Sequence, residues 1–118
     1  MKRKFRLTKA TDFKRVRRSG KSYAHPLVVL VISPNELQIS RFGISASKAV
    51  GNAVQRNRVK RQLREIIRSE LVHITSGWDM VVIARSKITQ AHFAEIHQAL
   101  EHLLSKAGLI YIENTNVN

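Results

Sequence analysis

The basic segment 48–68 carries the side chains of this chain that are best suited to bind phosphate. It holds seven of the 21 Lys and Arg residues, and Glu65 is the only acid within it. On a helix, four of its polar residues share the face opposite an apolar stripe: Asn57, Arg61, Arg64 and Arg68. Two more cations flank that face: Arg58 and Lys60. Because like charges one turn apart repel, such a row predicts a polyanionic partner, and its Arg content favours forked contacts to phosphate.

The residues before this helix have a related chemistry. Gly51 and Asn52 stand at its predicted start, where free backbone N–H groups attract anions, and Lys48 is close in sequence. The simpler interpretation is that Asn52 caps the helix, and capping does not prevent a phosphate from binding nearby.

The side chains that a protein nuclease needs are scattered. Phosphodiester hydrolysis by a protein calls for clustered carboxylates that hold metal ions, or for a His base with a partner. Five acids lie in separate segments, without metal-ligand spacing: Asp12, Glu36, Asp79, Glu95 and Glu101. Three histidines share the last predicted helix without a carboxylate motif: His92, His97 and His102. The sequence has no cysteine, and we expect no catalytic residue and no metal bound by the protein alone.

The composition is that of one folded, strongly basic domain. The 118 residues carry a formal charge of +13, while 43% of them are hydrophobic. This charge favours nucleic acid as the partner over a membrane surface. The longest apolar run, residues 27–32, is far shorter than the roughly 20 residues of a membrane span. We expect a single domain over residues 1–118, with a basic arm at 1–9, a frayed tail at 113–118, and a cytoplasmic location.

Three helices are predicted to position these groups. Thr11 and Asp12 mark the start of a short basic helix that ends at Gly20. The long basic helix runs from about Asn52 to Val72, and its apolar stripe consists of Val59, Leu63, Ile66, Ile67 and Leu71. Thr89 is the predicted cap of a third helix, which ends at Gly108. Its apolar positions are Phe93, Ile96, Leu100, Leu103, Leu104 and Ala107.

Strands fill the remaining segments. Residues 23–32 predict a buried strand, and residues 33–36 a turn into a partner strand that contains Leu37, Ile39, Phe42 and Ile44. This pattern predicts a hairpin with a bulge near Arg41. Residues 78–84 predict another strand, and its part 80–84 is almost wholly apolar, which predicts a central position in the sheet. The order α-β-β-α-β-α, in which the first strand region could divide in two, indicates an α+β sandwich.

At this level of detail the sequence resembles the bacterial ribonuclease P protein family. The segment Arg56-Asn57-Arg58 is that family's most specific motif. Neighbouring matches are Ser47-Lys48, Gly51-Asn52-Ala53-Val54 and Lys60-Arg61. Weaker matches extend over nearly the whole chain: Arg6-Leu7, Asp12-Phe13, Val16, Gly20, Arg41-Phe42-Gly43, Asp79, residues 81–85 and Gly108.

The resemblance implies both a fold and an activity. The fold is a two-layer α/β sandwich with a left-handed β-α-β crossover through the basic helix, similar to a domain of a small-subunit ribosomal protein and of elongation factor G. The activity is endonucleolytic removal of the 5′ leader of precursor tRNA. Catalysis is implied to lie in the RNA subunit, with Mg²⁺ held mainly by RNA. The protein is expected to be a monomer in a 1:1 ribonucleoprotein, without a membrane partner.

The resemblance also assigns residues to two RNA surfaces. The residues implied to contact the RNA subunit are Lys48, Gly51, Asn52, Arg56, Asn57, Arg58, Lys60, Arg61, Arg64 and Arg68. Those implied to form the leader cleft are Phe13, Arg17, Val31, Lys48, Asn57 and Arg61. Three positions depart from the usual family residues: Ala49 replaces a second Lys, Arg17 an aromatic residue, and Val31 the Tyr of some relatives. These changes predict a cleft that binds leader more by charge than by stacking.

Three other classes of function explain part of the pattern. A structural RNA-binding module, similar to a ribosomal protein, would share the basic helix but show no preference for leader-bearing tRNA. A protein-only nuclease is disfavoured by the missing ligand sets. A duplex DNA binder would need a helix-turn-helix or a zinc motif, and neither is visible.

Overall fold

The computed structural model describes residues 2–110. Its α-helices are α1 (Ala10–Ser19), α2 (Ala53–Glu70) and α3 (Phe93–Lys106). Its strands are β1 (Lys21–Ala24), β2 (Val28–Pro34), β3 (Arg41–Ser45) and β4 (Trp78–Ala84). Short 3₁₀ turns are formed by Arg3–Phe5, Leu71–His73 and Ser86–Gln90. The predicted order of helices and strands is confirmed, with the first strand region divided in two. The predicted tail, residues 113–118, lies outside the described residues.

The four strands form one mixed sheet in the order β1-β2-β4-β3. β2 pairs antiparallel with β1 and β4, and β3 pairs parallel with β4. The central position predicted for β4 is confirmed. Parallel neighbours need a crossover connection, and α2 provides it between β3 and β4. The left hand of this crossover stays a prediction.

The predicted hairpin between the second and third strand segments is wrong. β4 lies between β2 and β3, so that Met80 pairs with Ile32 on one side and Phe42 on the other. The hairpin that does form joins β1 to β2, through a turn at His25–Leu27 in which His25 N–H donates to the Val28 carbonyl. Pro26 in this turn has no N–H to donate to a sheet ladder, which explains why the predicted strand 23–32 divides there.

The loop before β3 replaces the predicted extension of that strand. Leu37 and Ile39 lie outside β3, which begins at Arg41 without a bulge in its pairing with β4. The Asn35 side chain accepts a hydrogen bond from the Leu37 N–H and donates one to the Ile39 carbonyl. These local bonds hold residues 35–39 in a compact turn, so their apolar side chains do not continue the strand.

Helices pack on both faces of the sheet. Alternate residues of β2 and β4, including Leu30, Met80 and Val82, join α2 and α3 in the main core. The intervening residues face α1, where Val16 packs with Leu7, Val31 and Val81 in a smaller core. The sandwich therefore has α2 and α3 on one face of the sheet and α1 on the other.

The helix boundaries show which capping predictions hold. Asn52 caps α2 as predicted, while Lys9 and His92 precede α1 and α3. The predicted caps Thr11–Asp12 and Thr89 are wrong: Thr11 and Asp12 lie in the first turn of α1, and Thr89 lies in a 3₁₀ turn before α3. At α3 the Glu95 carboxylate accepts from the His92 N–H, which fixes the start three residues later than predicted.

Within residues 2–110, each helix is too short or too polar to cross a lipid bilayer.

Candidate nucleic-acid interface

The cationic face predicted for α2 exists, and we call Asn57, Arg61, Arg64 and Arg68 the α2 ridge. All four side chains are exposed, whereas the predicted stripe residues Val59, Leu63, Ile66 and Ile67 are buried. Leu71, at the end of the stripe, is half-buried. One side of a single helix thus packs on the sheet while the other presents guanidinium groups to solvent.

Only the last residue of the α2 ridge has an acidic partner among the described residues. Arg68 forms an ion pair with Glu65, one turn before it on the same helix. Arg61 and Arg64 form no ion pair within residues 2–110. An exposed pair of this kind is weak, but it reduces the field at that end. The ridge is therefore most positive around Arg61 and Arg64.

The start of α2 is closed by a reciprocal cap. The Asn52 side chain accepts from the Gln55 N–H at 2.9 Å, and the Gln55 side chain accepts from the Asn52 N–H at 2.9 Å. Gly51 has φ +147°, and a Cβ there would lie 2.1 Å from Oε1 of Gln55, so only glycine permits this cap. Two backbone donors are thereby satisfied within the chain, and Lys48 remains exposed beside them.

The other cations predicted to bind the RNA subunit lie around this helix in different environments. Arg58 is exposed and Lys60 is half-buried. Arg56 is half-buried, and its Nε has no hydrogen-bond partner among residues 2–110. Lys60 and Arg58 lie on opposite flanks of the α2 ridge. The cationic surface therefore extends around the helix, toward β3 on the Lys60 side.

A cleft of about 240 Å³ opens at the edge of the sheet beside β3, and we call it the β3 cleft. It is lined by Arg6, Leu7, Phe13, Phe42, Gly43, Ile44, Lys60 and Arg64. The chain before α1 forms part of its wall, because the Leu7 N–H donates to the Phe42 carbonyl at 2.6 Å. Three cations and two phenylalanines thus surround one groove between α1 and α2.

Phe13 is held in this cleft by the absence of a side chain at Gly43. A Cβ at Gly43 would lie 2.3 Å from the Phe13 ring, so the ring lies directly against the backbone of β3. Phe13 is half-buried and also packs against the smaller core. The ring therefore combines a packing role with an exposed surface that a base could contact.

A buried acid fixes α1 on the sheet next to the cleft. Asp79 of β4 is completely buried and accepts hydrogen bonds from Arg41 at 2.7 and 2.8 Å, from Asn35 at 3.0 Å, and from Arg15 of α1. Burial raises the pKa of Asp79, but the bonds from Arg41, Asn35 and Arg15 outweigh burial and hold that pKa below its ordinary value. This network was not predicted, although an acid within an apolar strand pattern is an unusual feature that could have signalled it.

The rest of the predicted leader site is distributed around α1. Arg17 is exposed one turn after Phe13 on the same side of α1. Val31 is only 5% exposed in the smaller core, which leaves little of its surface for RNA. The row Ala24-Val29-Ile83-Ser45 crosses the same face of the sheet, and each of its side chains is at least partly exposed. This open row extends the accessible face beyond α1.

The structure brings together only part of the predicted leader set. Of those residues, Phe13 lines the β3 cleft, whereas Lys48, Asn57 and Arg61 are exposed outside its lining. Arg6, Lys60 and Arg64 line it instead. Arg6 was predicted only as part of the family resemblance, because its approach to β3 depends on a bridge between Arg6 and Phe42 that sequence spacing does not reveal.

The expectation that the histidines of α3 lack nearby carboxylates is wrong for His97. Its Nε2 lies 2.9 Å from Oε1 of Glu70 and 3.9 Å from Oε2 of Glu101. His97 and Glu101 are four residues apart, a spacing that places them on one helix face and could have signalled the pair. Glu70 joins them only through the packing of α2 on α3.

Comparison with known proteins identifies the family of the chain that carries this basic surface. The family model described as Ribonuclease P matches residues 1–108. The chain belongs to the ribonuclease P protein family. It is 43% identical over 110 residues to the ribonuclease P protein component of Dehalococcoides mccartyi strain CBDB1, covering 93% of this chain and 90% of the relative. It is 42% identical over 109 residues to that of Herpetosiphon aurantiacus, covering 92% and 89%.

Solved ribonuclease P proteins share the fold. The Staphylococcus aureus protein matches with a TM-score of 0.84 and 37% identity, over 91% of this chain and 98% of that one. The Thermotoga maritima protein matches with a TM-score of 0.79 and 33% identity, over 92% and 98%. The chain is thus a protein subunit of ribonuclease P, an endoribonuclease of tRNA processing.

Proposed function

We propose that this subunit binds the catalytic RNA through the α2 ridge and the 5′ leader of precursor tRNA through the β3 cleft and the open sheet face beside α1. The observation that carries the proposal is the pair of exposed guanidinium groups, Arg61 and Arg64, on a helix whose opposite side is buried. Arg64 also lines the cleft, so one helix borders both surfaces. The protein would lower the repulsion between two RNAs that must lie side by side.

The cleft is suited to single-stranded RNA. A groove with cations along it and a partly exposed aromatic ring fits a flexible strand whose bases are unpaired. Arg6, Lys60 and Arg64 supply charge, and Phe13 supplies a stacking surface. Arg17, one turn further along α1, adds a guanidinium plane in place of a second aromatic ring.

The chemistry itself is proposed to reside in the RNA subunit. Mg²⁺ ions held mainly by RNA phosphates would stabilise the reacting oxygens, and the protein would raise substrate affinity more than the rate of cleavage. We propose one protein per RNA subunit, acting in the cytoplasm, where bacterial tRNA is made. Cleavage of precursor tRNA by the purified chain alone would contradict this division of roles.

Leader binding predicts a preference between two tRNAs. With the RNA subunit present, we expect precursor tRNA to bind about tenfold more tightly than mature tRNA, a difference of about 1.4 kcal/mol. Lys60→Ala, which removes a cation of the β3 cleft, is expected to reduce this preference. Dissociation constants for the two tRNAs, measured in the same buffer, provide the test.

Lys106→Ala is the matched control, because Lys106 is an exposed cation at the end of α3, away from the cleft lining. It should leave the preference unchanged. Equal affinity for the two tRNAs would contradict leader binding and favour the structural RNA-binding module.

The α2 ridge predicts a change in salt dependence. Arg61→Ala with Arg64→Ala is expected to weaken binding of the RNA subunit and to lower the slope of log K against log salt by about one for each phosphate that is no longer neutralised. Arg68→Ala should have a smaller effect, because Glu65 already pairs with that side chain. Titrations at several salt concentrations measure both quantities, and an unchanged slope in the double variant would mean that these arginines face water in the complex.

A further inference from the structure

Glu70, His97 and Glu101 bring two carboxylates and one imidazole together where the end of α2 packs on α3. One potential ligand atom from each residue lies within 4.8 Å of the other two. Within residues 2–110, this is the one group of three His or acidic side chains with that arrangement. Glu70 is 7% exposed, so the carboxylate that it contributes to the group lies in the protein interior. The group lies on the buried side of α2, away from the α2 ridge.

The position of Glu70 is unusual for a carboxylate. It continues the apolar stripe Val59-Leu63-Ile66 at helical spacing, where an apolar residue would pack without a charge. Burying an ionised carboxylate costs free energy unless a cation or donors compensate it. In this group, one imidazole faces two carboxylates.

We infer that Glu70, His97 and Glu101 form a binding site for a divalent transition-metal ion of the Zn²⁺ type. Imidazole and carboxylate donors suit such ions, and three protein ligands leave a fourth position for water. Mg²⁺ fits poorly, because it prefers oxygen ligands in an octahedral arrangement. The site is distinct from the Mg²⁺ proposed to be held by RNA.

The geometry needs little adjustment to accept the ion. A tetrahedral zinc centre with bonds of about 2.1 Å places its donors about 3.4 Å apart. The His97 Nε2 lies 2.9 Å from the Glu70 oxygen and 3.9 Å from the Glu101 oxygen, on either side of that value. His97 and Glu101 lie one turn apart on α3, so their backbone positions are already fixed. The third separation, between the Glu70 and Glu101 oxygens, is at most 4.8 Å, so the three donors must draw closer to one centre when the ion binds.

The bound ion has a structural consequence. Glu70 is the last residue of α2, and His97 and Glu101 belong to α3, so the ion joins two helices that pack together and share the Glu70–His97 contact. An ion that binds the folded state and not the unfolded chain stabilises the fold by mass action. The metal therefore fixes the orientation of the helix that carries the α2 ridge.

Calorimetric titration of the full chain with ZnCl₂, in buffer containing Mg²⁺, tests the site. We expect one equivalent of zinc to bind and the thermal midpoint to rise by about 5 °C at saturation. His97→Ala and Glu101→Gln should each weaken zinc binding by at least about tenfold. His102→Ala is the matched control, since His102 is exposed on the same helix and outside the group, and it should bind zinc as the natural chain does.

Two results would overturn the inference. One is absence of saturable 1:1 zinc binding to the natural chain; the other is natural affinity in both His97→Ala and Glu101→Gln. Glu101 is 39% exposed, so Glu101→Gln keeps the test available even if His97→Ala fails to fold. In either case the group would be an ordinary ion pair between helices. Both results are independent of tRNA binding, so they leave the proposed function untouched.

Discussion

Asp79→Ala is expected to lower the free energy of unfolding by about 3 kcal/mol, because Arg15 and Arg41 lose their shared buried counterion. Removing one partner of a buried pair usually costs more than the pair contributes, since the other charge is left without compensation. Arg15 and Arg41 are 39% and 25% exposed, so water can rehydrate them in part, which places the effect at the lower end of the usual range. Urea unfolding at neutral pH measures it.

Asp12→Ala is the control for this variant. The Asp12 carboxylate lies 3.7 Å from Arg15 in a partly exposed pair, and its removal should cost less than about 1 kcal/mol. Comparable destabilisation in the two variants would mean that the buried ion pairs of Asp79 contribute no more to stability than the exposed pair of Asp12. Because Arg15 belongs to α1, Asp79→Ala should also loosen α1 and reduce leader binding.

The same carboxylate sets an acid limit to stability. The pKa of Asp79 is lowered in the folded state, so its contribution is complete above the pKa of the unfolded chain and is lost as pH falls through the folded pKa. Unfolding experiments should show this loss below about pH 4. In Asp79→Ala the loss over that interval should be smaller, because the titrating group is gone.

Local patterns predicted α2 well because each determinant lies within the helix itself. The stripe through Leu63, the cap at Asn52 and the solvent-facing arginines all follow from helical periodicity over residues 52–71. The central position of β4 was predicted for a similar reason: a nearly continuous apolar run is typical of a strand that is covered on both faces.

Local sequence patterns did not predict which strands pair with each other. The predicted hairpin joined segments adjacent in sequence, but β4 arrives from the far end of α2 and separates β2 from β3. No residue in β3 encodes a parallel partner by itself. The β3 cleft depends on this insertion and on the pairing of Arg6 with Phe42, so its lining could be only partly predicted.

Buried polar groups were missed for a related reason. Asp79 and Glu70 look like solvated acids in the sequence, and their partners lie in other elements of the fold. Two local signals were present: Asp79 interrupts an apolar strand pattern, and His97 and Glu101 are spaced by one helical turn. Because a charge is buried only where its partners meet, the tertiary structure is needed to identify such groups.

Leu63→Ala is expected to cost about 2 to 5 kcal/mol of stability, an effect about as large as that of Asp79→Ala, without altering the exposed face of the α2 ridge. Leu63 is completely buried in the main core, so the truncation leaves a cavity between α2 and the sheet. Arg61 and Arg64 lie on the opposite, exposed side of the same helix, so their replacement by alanine should change stability by less than about 0.5 kcal/mol. Denaturant unfolding of the three variants measures these differences.

These variants separate folding from RNA binding, because each of them changes only one side of α2. At a temperature where Leu63→Ala is still folded, its salt slope for RNA binding should equal that of the natural chain, whereas the arginine variants should keep their stability and show a smaller slope. A natural slope in the arginine variants would contradict the assignment of the exposed side to RNA. Since a buried leucine does not touch phosphate, a reduced slope in folded Leu63→Ala would mean that the cavity reorients α2 and moves the ridge away from the RNA.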